Sequence, residues 1–415
     1  MSSLAFSGKP RQIITKLHRW SGLALAALLL LAALTGAVLS FRWEIDALLN
    51  PGLFKVEPGA DTLPQSELIS RVEAHFPELL VSSLALPAGP ADALRVSLKA
   101  REKAHQAPAG RRGMKMTQAF NQAFVNPYTG EVLGQRNTTD FVVNRLNFVP
   151  FVLRLHYSLF LEQWGVWLMG GSALLWFVSA FLGLALSWPR QATALKAWRP
   201  IVSIRSGKGS YKLNYDLHRA ASVLSFPILI VVAFTSVYLN LPELVKPVIE
   251  QFSPLGSSAP SAGRLGLDAS IVSPEAASQA ARAALPGARV SFISRDFAKG
   301  LYTVRLHLPQ DVSPNGNNTI YVGMRDGAIV HRRLAAEQSA ADTFIAWQVP
   351  LHAGTAFGLT GQILICLAAI TLAAVCITGF NIWLRKQRSE KNLRIRRQVQ
   401  SAEPARSPDF TRQLN

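Results

Sequence analysis

A chain of 415 residues could hold two or three soluble domains, but 49% hydrophobic content with 16% charged residues points to a membrane protein. The net charge of +18 would, on a soluble protein, raise nucleic acid as a partner. Its distribution removes that reading: residues 1–20, 189–219 and 385–415 together hold 20 Lys/Arg against 4 Asp/Glu, and everything else holds 23 against 21.

Four apolar runs, at 20–41, 164–188, 218–241 and 360–384, each approach or exceed the ~20 residues a helix needs to cross a bilayer. Under the positive-inside rule the three basic segments face the cytoplasm. The expected layout is a cytoplasmic N-terminus and first span over 1–41, an external segment over 42–163 and a second span over 164–188. A cytoplasmic loop over 189–217, a third span over 218–241, an external segment over 242–359, a fourth span over 360–384 and a basic cytoplasmic tail over 385–415 follow. Membrane lipid is then an obligatory partner, and nucleic acid is not expected. The basic N-terminus before an apolar run has the look of a signal peptide, but the run is long, lacks a small-x-small site and has a counterpart at 218. Cys366 and Cys376 both fall in the fourth span, so no disulfide is expected.

In chain order, Trp43 suits the membrane interface, and Asn50-Pro51-Gly52 is expected to break the first helix. A helix is predicted over 64–76, with Leu68, Ile69 and Val72 on one face, then strands over 81–86 and 94–99. Residues 104–112 read as a polar loop. A strand over 119–125 runs into Asn126-Pro-Tyr-Thr-Gly-Glu-Val-Leu-Gly134, a hairpin signal. The second external segment repeats the plan. Ser273-Pro274 starts a helix that Pro286-Gly287 stops, strands follow over 288–294, 301–308 and 319–323, and Arg325-Asp326-Gly327 makes the last turn. Each segment is expected to be an α+β unit of two layers.

The spans repeat as well. KLHRW at 16–20 and DLHRA at 216–220 place His18 and His218 at the charged edge of the first and third spans. His156 stands nine residues before Gly165, and His352 nine before Gly361. The second and fourth spans end at Trp188-Pro-Arg and Trp383-Leu-Arg, and the intervals from His18 to His156 and from His218 to His352 are 138 and 134 residues. The chain is thus read as four transmembrane helices in two tandem repeats, parallel halves related about the membrane normal.

The LHRW opening, YDLHR before the third span, LHYSLFLEQWG into the second, the WPR exit and LHAGTAFGLTG into the fourth resemble the PepSY-associated transmembrane family over nearly all of residues 10–390. The NPYTGEVLG hairpin after a short helix resembles the PepSY module itself. That resemblance implies two periplasmic α+β PepSY-like domains and a bacterial inner-membrane location. It also implies a role in iron uptake, since members include di-haem ferric-siderophore reductases.

The residues carry a chemical reading of their own. If the repeat brings His18 to face His218 and His156 to face His352, two bis-histidine sites result, one near each membrane surface. Two imidazoles are too few for structural zinc, which takes four protein ligands, whereas a porphyrin supplies the other four. Two haem b groups are therefore the expected cofactors, with the four histidines as axial ligands to iron. Arg19 and Arg219 stand beside the inner pair and could fork onto propionates, while Gly22 and Ser222, one turn along, leave room for the ring. A half-wet interfacial ring explains any one such histidine. Positive-inside anchoring explains the arginines, and close helix packing explains the small residues, as it does Thr35-Gly36 and Thr378-Gly379. It is the duplication of four that favours ligation, given the cost of polar groups in a membrane.

His75, His105, His307 and His331 read as surface residues. The glycine-rich stretch 205–212 lacks the spacing and the preceding strand of a phosphate loop, and no GxGxxG unit, serine elbow or HExxH occurs. An electron carrier is thus expected to draw on a separate cytoplasmic donor and to reduce an external acceptor, a ferric siderophore by the resemblance. The competing reading is a non-enzymatic membrane module that binds or inhibits a peptidase, or assists uptake.

Overall fold

The computed structural model describes residues 8–101, 120–189, 195–207, 209–257 and 260–402. The expected loop at 104–112, His105, the first residue of the strand expected at 119 and Lys208 lie outside them. Among the described residues four helices are long and apolar enough to cross a membrane. They are α1 (Lys9–Leu39), α6 (Glu162–Ser187), α8 (Ser210–Asn240) and α12 (Gly358–Ala402). Between them, in chain order, lie α2 (Arg42–Leu49), α3 (Pro51–Phe54), α4 (Gln65–His75), α5 (Phe148–Ser158), α7 (Arg199–Val202), α9 (Pro242–Glu250), α10 (Pro274–Ala284) and α11 (Ala340–Ala353). Three spanning helices begin or end well beyond their apolar runs. Their flanking turns are rich in Lys, Arg, Leu and Gln, all good helix formers, with no proline between the apolar run and the distal helix end in α12.

Two compact bodies make up the chain, and each of the four long helices contributes to both: Met1–Leu30, Leu175–Leu229 and Ile370–Asn415 form one, Leu31–Leu174 and Ile230–Ala369 the other. In the first body Asp216, fully buried at the start of α8, is the hub. It pairs with Arg205 at 3.0 Å, Lys212 at 3.1 Å and Arg219 at 3.2 Å. Arg219 also donates to the carbonyls of Pro200 and Ile201, tying α7 to α8.

The second body holds an antiparallel sheet of β1 (Leu79–Ala85), β2 (Leu94–Ala100), β3 (Gln122–Val125), β4 (Val132–Arg136), β5 (Arg289–Asp296), β6 (Leu301–His307), β7 (Asn318–Gly323) and β8 (Ile329–Arg333). Its order is β4-β3-β2-β1-β5-β6-β7-β8. The two inter-span segments, expected as separate α+β domains, therefore share one sheet. The seam is β1 against β5, with Ser83 opposite Ser294, Leu84 opposite Ile293 and Ala85 opposite Phe292. Leu94, Val96 and Leu98 of β2 and Val304 and Leu306 of β6 are buried at alternate positions, so one face of the sheet is covered. Helices α4 and α10 cover it with Leu68, Ile69, Val72, Ala277 and Ala281. They also meet each other, as Ser278 donates to Gln65 and the Ser66 amide to Glu275. Ser273 caps α10 as expected, accepting from the Ala276 amide.

Six short helices were not expected: α2, α3, α5, α7, α9 and α11. The break expected at Asn50-Pro51-Gly52 is present, since α2 ends at Leu49 with Asn50 as its cap, but a new helix starts at once because Pro51 sits in the first turn of α3, where its missing N–H has no partner to lose. α2 is fixed by a buried ion pair. Asp46 accepts from Arg136 at 2.8 and 3.0 Å, and Arg136 also donates to Gln122 and to the Leu146 carbonyl just before α5.

Candidate functional site

In the first body His18 on α1 and His218 on α8 face each other, ring centres 6.4 Å apart and planes at 62°. Each ring lies against a glycine of a neighbouring helix. A Cβ on Gly183 of α6 would stand 2.9 Å from His18 Cε1, and one on Gly379 of α12 would stand 3.0 Å from His218 Cε1. His18 Nδ1 is 3.0 Å from the Ser179 carbonyl, and His218 Nδ1 is 3.0 Å from the Val375 carbonyl. A carbonyl only accepts, so both Nδ1 atoms carry the proton and both Nε2 lone pairs are free.

In the second body His156 on α5 and His352 on α11 repeat the arrangement, ring centres 6.1 Å apart and planes at 56°. His156 packs on α1, where a Cβ on Gly36 would stand 3.3 Å from its Cε1. Its Nδ1 is 2.9 Å from Thr35 Oγ1, and His352 Nδ1 is 3.0 Å from Thr235 Oγ1 on α8. Each threonine donates its one proton to its own helix, Thr35 to Leu31 at 2.7 Å and Thr235 to Val231 at 2.9 Å. The hydroxyls therefore accept from the rings, and these two Nε2 lone pairs are free as well.

His156 and His352 sit on separate short helices, not at the start of the spans. α5 turns back into α6 through Leu159, Phe160 and Glu162, all in the left-handed region. α11 turns into α12 through Gly354 and Gly358. The corners are tight: a Cβ on Gly165 would lie 1.6 Å from the Ser158 carbonyl oxygen, and one on Gly361 2.0 Å from that of Gly354. The nine-residue spacing from histidine to glycine is the length of this corner.

Neutral imidazoles anchored at Nδ1 with Nε2 free are the usual form of metal-binding histidine. A metal midway between two such rings, at the ~2.0 Å metal–nitrogen distance of imidazole, holds the ring centres roughly 6 Å apart. Among the described residues no group of three or more His, Cys, Asp or Glu could hold an ion. Each pair thus offers two imidazole nitrogens, and a metal held there would take its remaining donors from a ligand. This donor set fits a planar four-nitrogen macrocycle and does not fit structural zinc.

The other expected site residues are placed unequally. Arg19 lies over the Trp20 ring at 5.3 Å and its buried Nε has no hydrogen-bond partner, leaving a donor beside His18. The guanidinium of Arg219 is engaged by Asp216 and two carbonyls. A Cβ on Gly22 would meet nothing within 4 Å, and Ser222 is partly buried. His75 meets Phe76 edge-on and His331 lies tilted against Tyr321, away from both pairs in sequence.

Sequence reasoning missed Ser179, Val375, Gly183 and Thr235, and assigned Thr35-Gly36 and Thr378-Gly379 to helix packing. A signal was there: Thr35 and Thr235 are 200 residues apart, as are His18 and His218, and Gly183 and Gly379 are 196 apart, as are His156 and His352.

A family model described as the PepSY-associated TM region matches residues 15–386. No curated protein matches the chain.

Proposed function

The chain belongs to the PepSY-associated TM family, and from that premise and the two imidazole pairs we propose that it is a transmembrane electron carrier with a bis-histidine haem b at each pair. One observation carries the reading: all four rings are held at Nδ1 with Nε2 free, and the pairs are spaced for one metal each. In this reading the chain lies in a bacterial inner membrane with both termini cytoplasmic. Its halves are tandem repeats, and the inter-span α+β segments are PepSY-like and periplasmic.

Bound haem supplies one-electron transfer. The protein's part is to hold each iron between rings that cannot turn, since the backbone and hydroxyl acceptors and the glycine cradles fix them. The unpartnered Nε–H of Arg19 supports binding of an anionic group beside His18. Absence of a GxGxxG unit in the sequence implies that the reductant comes from a separate cytoplasmic donor.

The acceptor we propose is a periplasmic ferric siderophore. Its Fe(III) is held by hard oxygen ligands; one electron gives Fe(II), softer and less charged, which those ligands hold weakly, so reduction releases the metal. The remainder of the chain outside the three basic segments is nearly neutral, so shape and hydrogen bonding, more than charge steering, select the chelate.

The test is spectroscopic. Purified protein should show a Soret band, with His18→Ala and His218→Ala removing one haem and His156→Ala and His352→Ala the other. Anaerobic mixing of reduced protein with ferric siderophores and a ferrous trap should oxidise the haem and release Fe(II). Protein without a Soret band would leave the non-enzymatic module. Haem that stays reduced with siderophores but is oxidised by another acceptor would keep the carrier and remove the substrate.

A further inference from the structure

Among the described residues, three buried side-chain polar atoms of the first body have no hydrogen-bond partner, and all three are donors: Arg19 Nε, Trp188 Nε1 and Trp383 Nε1. The second body holds a mixture, Asn147 Oδ1 and Gln348 Oε1 with Arg154 Nε and Arg333 Nε. A buried donor left unpaired costs more than an ordinary hydrogen bond contributes, so such an atom marks a place where an acceptor belongs. A tryptophan at a membrane interface normally turns its N–H to headgroups or water. Here protein encloses both indole nitrogens, and neither lipid nor bulk water reaches them.

The two tryptophans occupy matching places. Trp188 stands five residues after Gly183 and Trp383 four after Gly379, the glycines against which His18 and His218 lie. At the helical rise both positions fall roughly 6–8 Å beyond the imidazole pair, toward the end of the body where α1 begins. Trp383 shares a face of α12 with Gly379, four residues earlier. Trp188 lies just past the end of α6. It lines a cavity with Arg11, seven residues before His18 on α1, and with Tyr215 and Arg219, on either side of His218 in α8. Trp188 also meets Trp198 edge-on, ring centres 5.1 Å apart, but a ring face is a weak acceptor.

Resting on the haem reading, we infer that Trp188 and Trp383 are cofactor-binding residues whose indole N–H groups donate to the two carboxylates of the macrocycle at His18/His218. Arg19, beside His18, adds a charged donor. Haem b carries both carboxylates on one edge, and the indoles come one from each half of the chain, so each takes one. The carboxylate edge therefore faces the basic end of the first body, and the apolar edge points into the spans. A buried water would also satisfy an indole N–H, but it would be indifferent to the carboxylates.

The test couples the residue to the carboxylate. Full-length His156→Ala protein, keeping only the site at His18/His218, is stripped and reloaded with haem b or with its dimethyl ester, whose carboxylates are masked. Loss to excess apomyoglobin is followed at the Soret band. Haem b should leave about tenfold more slowly than the ester, the worth of hydrogen bonds to a charged group. Trp188→Phe and Trp383→Phe each keep a ring and remove the N–H, so each should narrow that ratio, and together they should bring it below about threefold. Variants that speed the loss of haem b and ester equally show a packing or water-binding role and overturn the inference, as does a ratio near one in the parent. If neither phenylalanine variant folds, the parent ratio decides. Absence of any Soret band after loading with haem b sinks the haem reading itself, a result distinct from these.

Discussion

Replacing Asp46 by alanine would leave the Arg136 guanidinium charged and enclosed. Its side chain is 3% exposed and that of Asp46 2%, and the two Asp46 bonds of 2.8 and 3.0 Å are its only carboxylate contacts among the described residues. Gln122 and the Leu146 carbonyl remain, but neither neutralises a charge. Breaking such a pair from one side costs about 3–5 kcal/mol. At roughly 2 °C per kcal/mol for a large body, the melting transition should fall by about 6–10 °C. The second half offers an internal control. Arg333 pairs with Asp342 at 2.6 Å but is 40% exposed, so water can take over when Asp342→Ala removes its partner, and the loss should be well under half as large. The assay is thermal unfolding of full-length, detergent-solubilised protein for Asp46→Ala, Asp342→Ala and the double change Asp46→Leu with Arg136→Met. The double change removes both charges and should recover most of the loss. A cost below about 1 kcal/mol for Asp46→Ala, or one equal to that of Asp342→Ala, would refute the argument from burial.

Gly165→Ala and Gly361→Ala each drive a methyl into a backbone oxygen, which no rotamer can relieve; each should cost about 3 kcal/mol or more and weaken pigment at His156/His352, whereas Gly171→Ala, with nothing within 4 Å, should be mild. Burial pushes the Tyr302 phenol up to about 12, and its hydroxyl donates to the Val272 carbonyl at 2.8 Å. Its folded value therefore exceeds the ordinary ~10, so its contribution is full below about pH 10 and falls by ~2.7 kcal/mol as pH rises toward 12. Comparing alkaline unfolding of Tyr302→Phe with the parent should show that slope missing from the variant; an identical slope contradicts the assignment. A reporter active only in the periplasm should work when inserted near Gly110 and stay silent after Asn415, and activity at Asn415 would overturn the proposed topology.

The spans and the four histidines were legible in the sequence because both depend on local pattern: apolar length, and a motif repeated at a fixed interval. Helices α4 and α10 were legible through one apolar face and a serine cap. The seam between β1 and β5 was not, because antiparallel pairing across 200 residues leaves no mark on either strand alone. Helices α5 and α11 were hidden for another reason. Their apolar residues merge with the following spans, and at the first corner Leu159, Phe160 and Glu162 adopt a backbone that no side chain advertises. One ring acceptor, Thr35, lay in plain view as part of a Thr-Gly pair, but Thr and Gly in a spanning helix have a simpler use, and only the position of the histidines separates the two.

The seam also sets an order of events during synthesis. Strand β1 ends at Ala85 and its partner β5 begins at Arg289, so roughly 200 residues and two further spans must leave the ribosome before β1 can pair on that side. At ribosomal rates of 5–20 residues per second that is about 10–40 seconds with an open strand edge. The waiting edge is short, and Ser82 and Ser83 keep it from being wholly apolar. A chain truncated before residue 289 would keep that edge indefinitely and should be prone to aggregate or to be degraded. His352 is made later still, so the imidazole pair it completes can form only when nearly the whole chain has been translated.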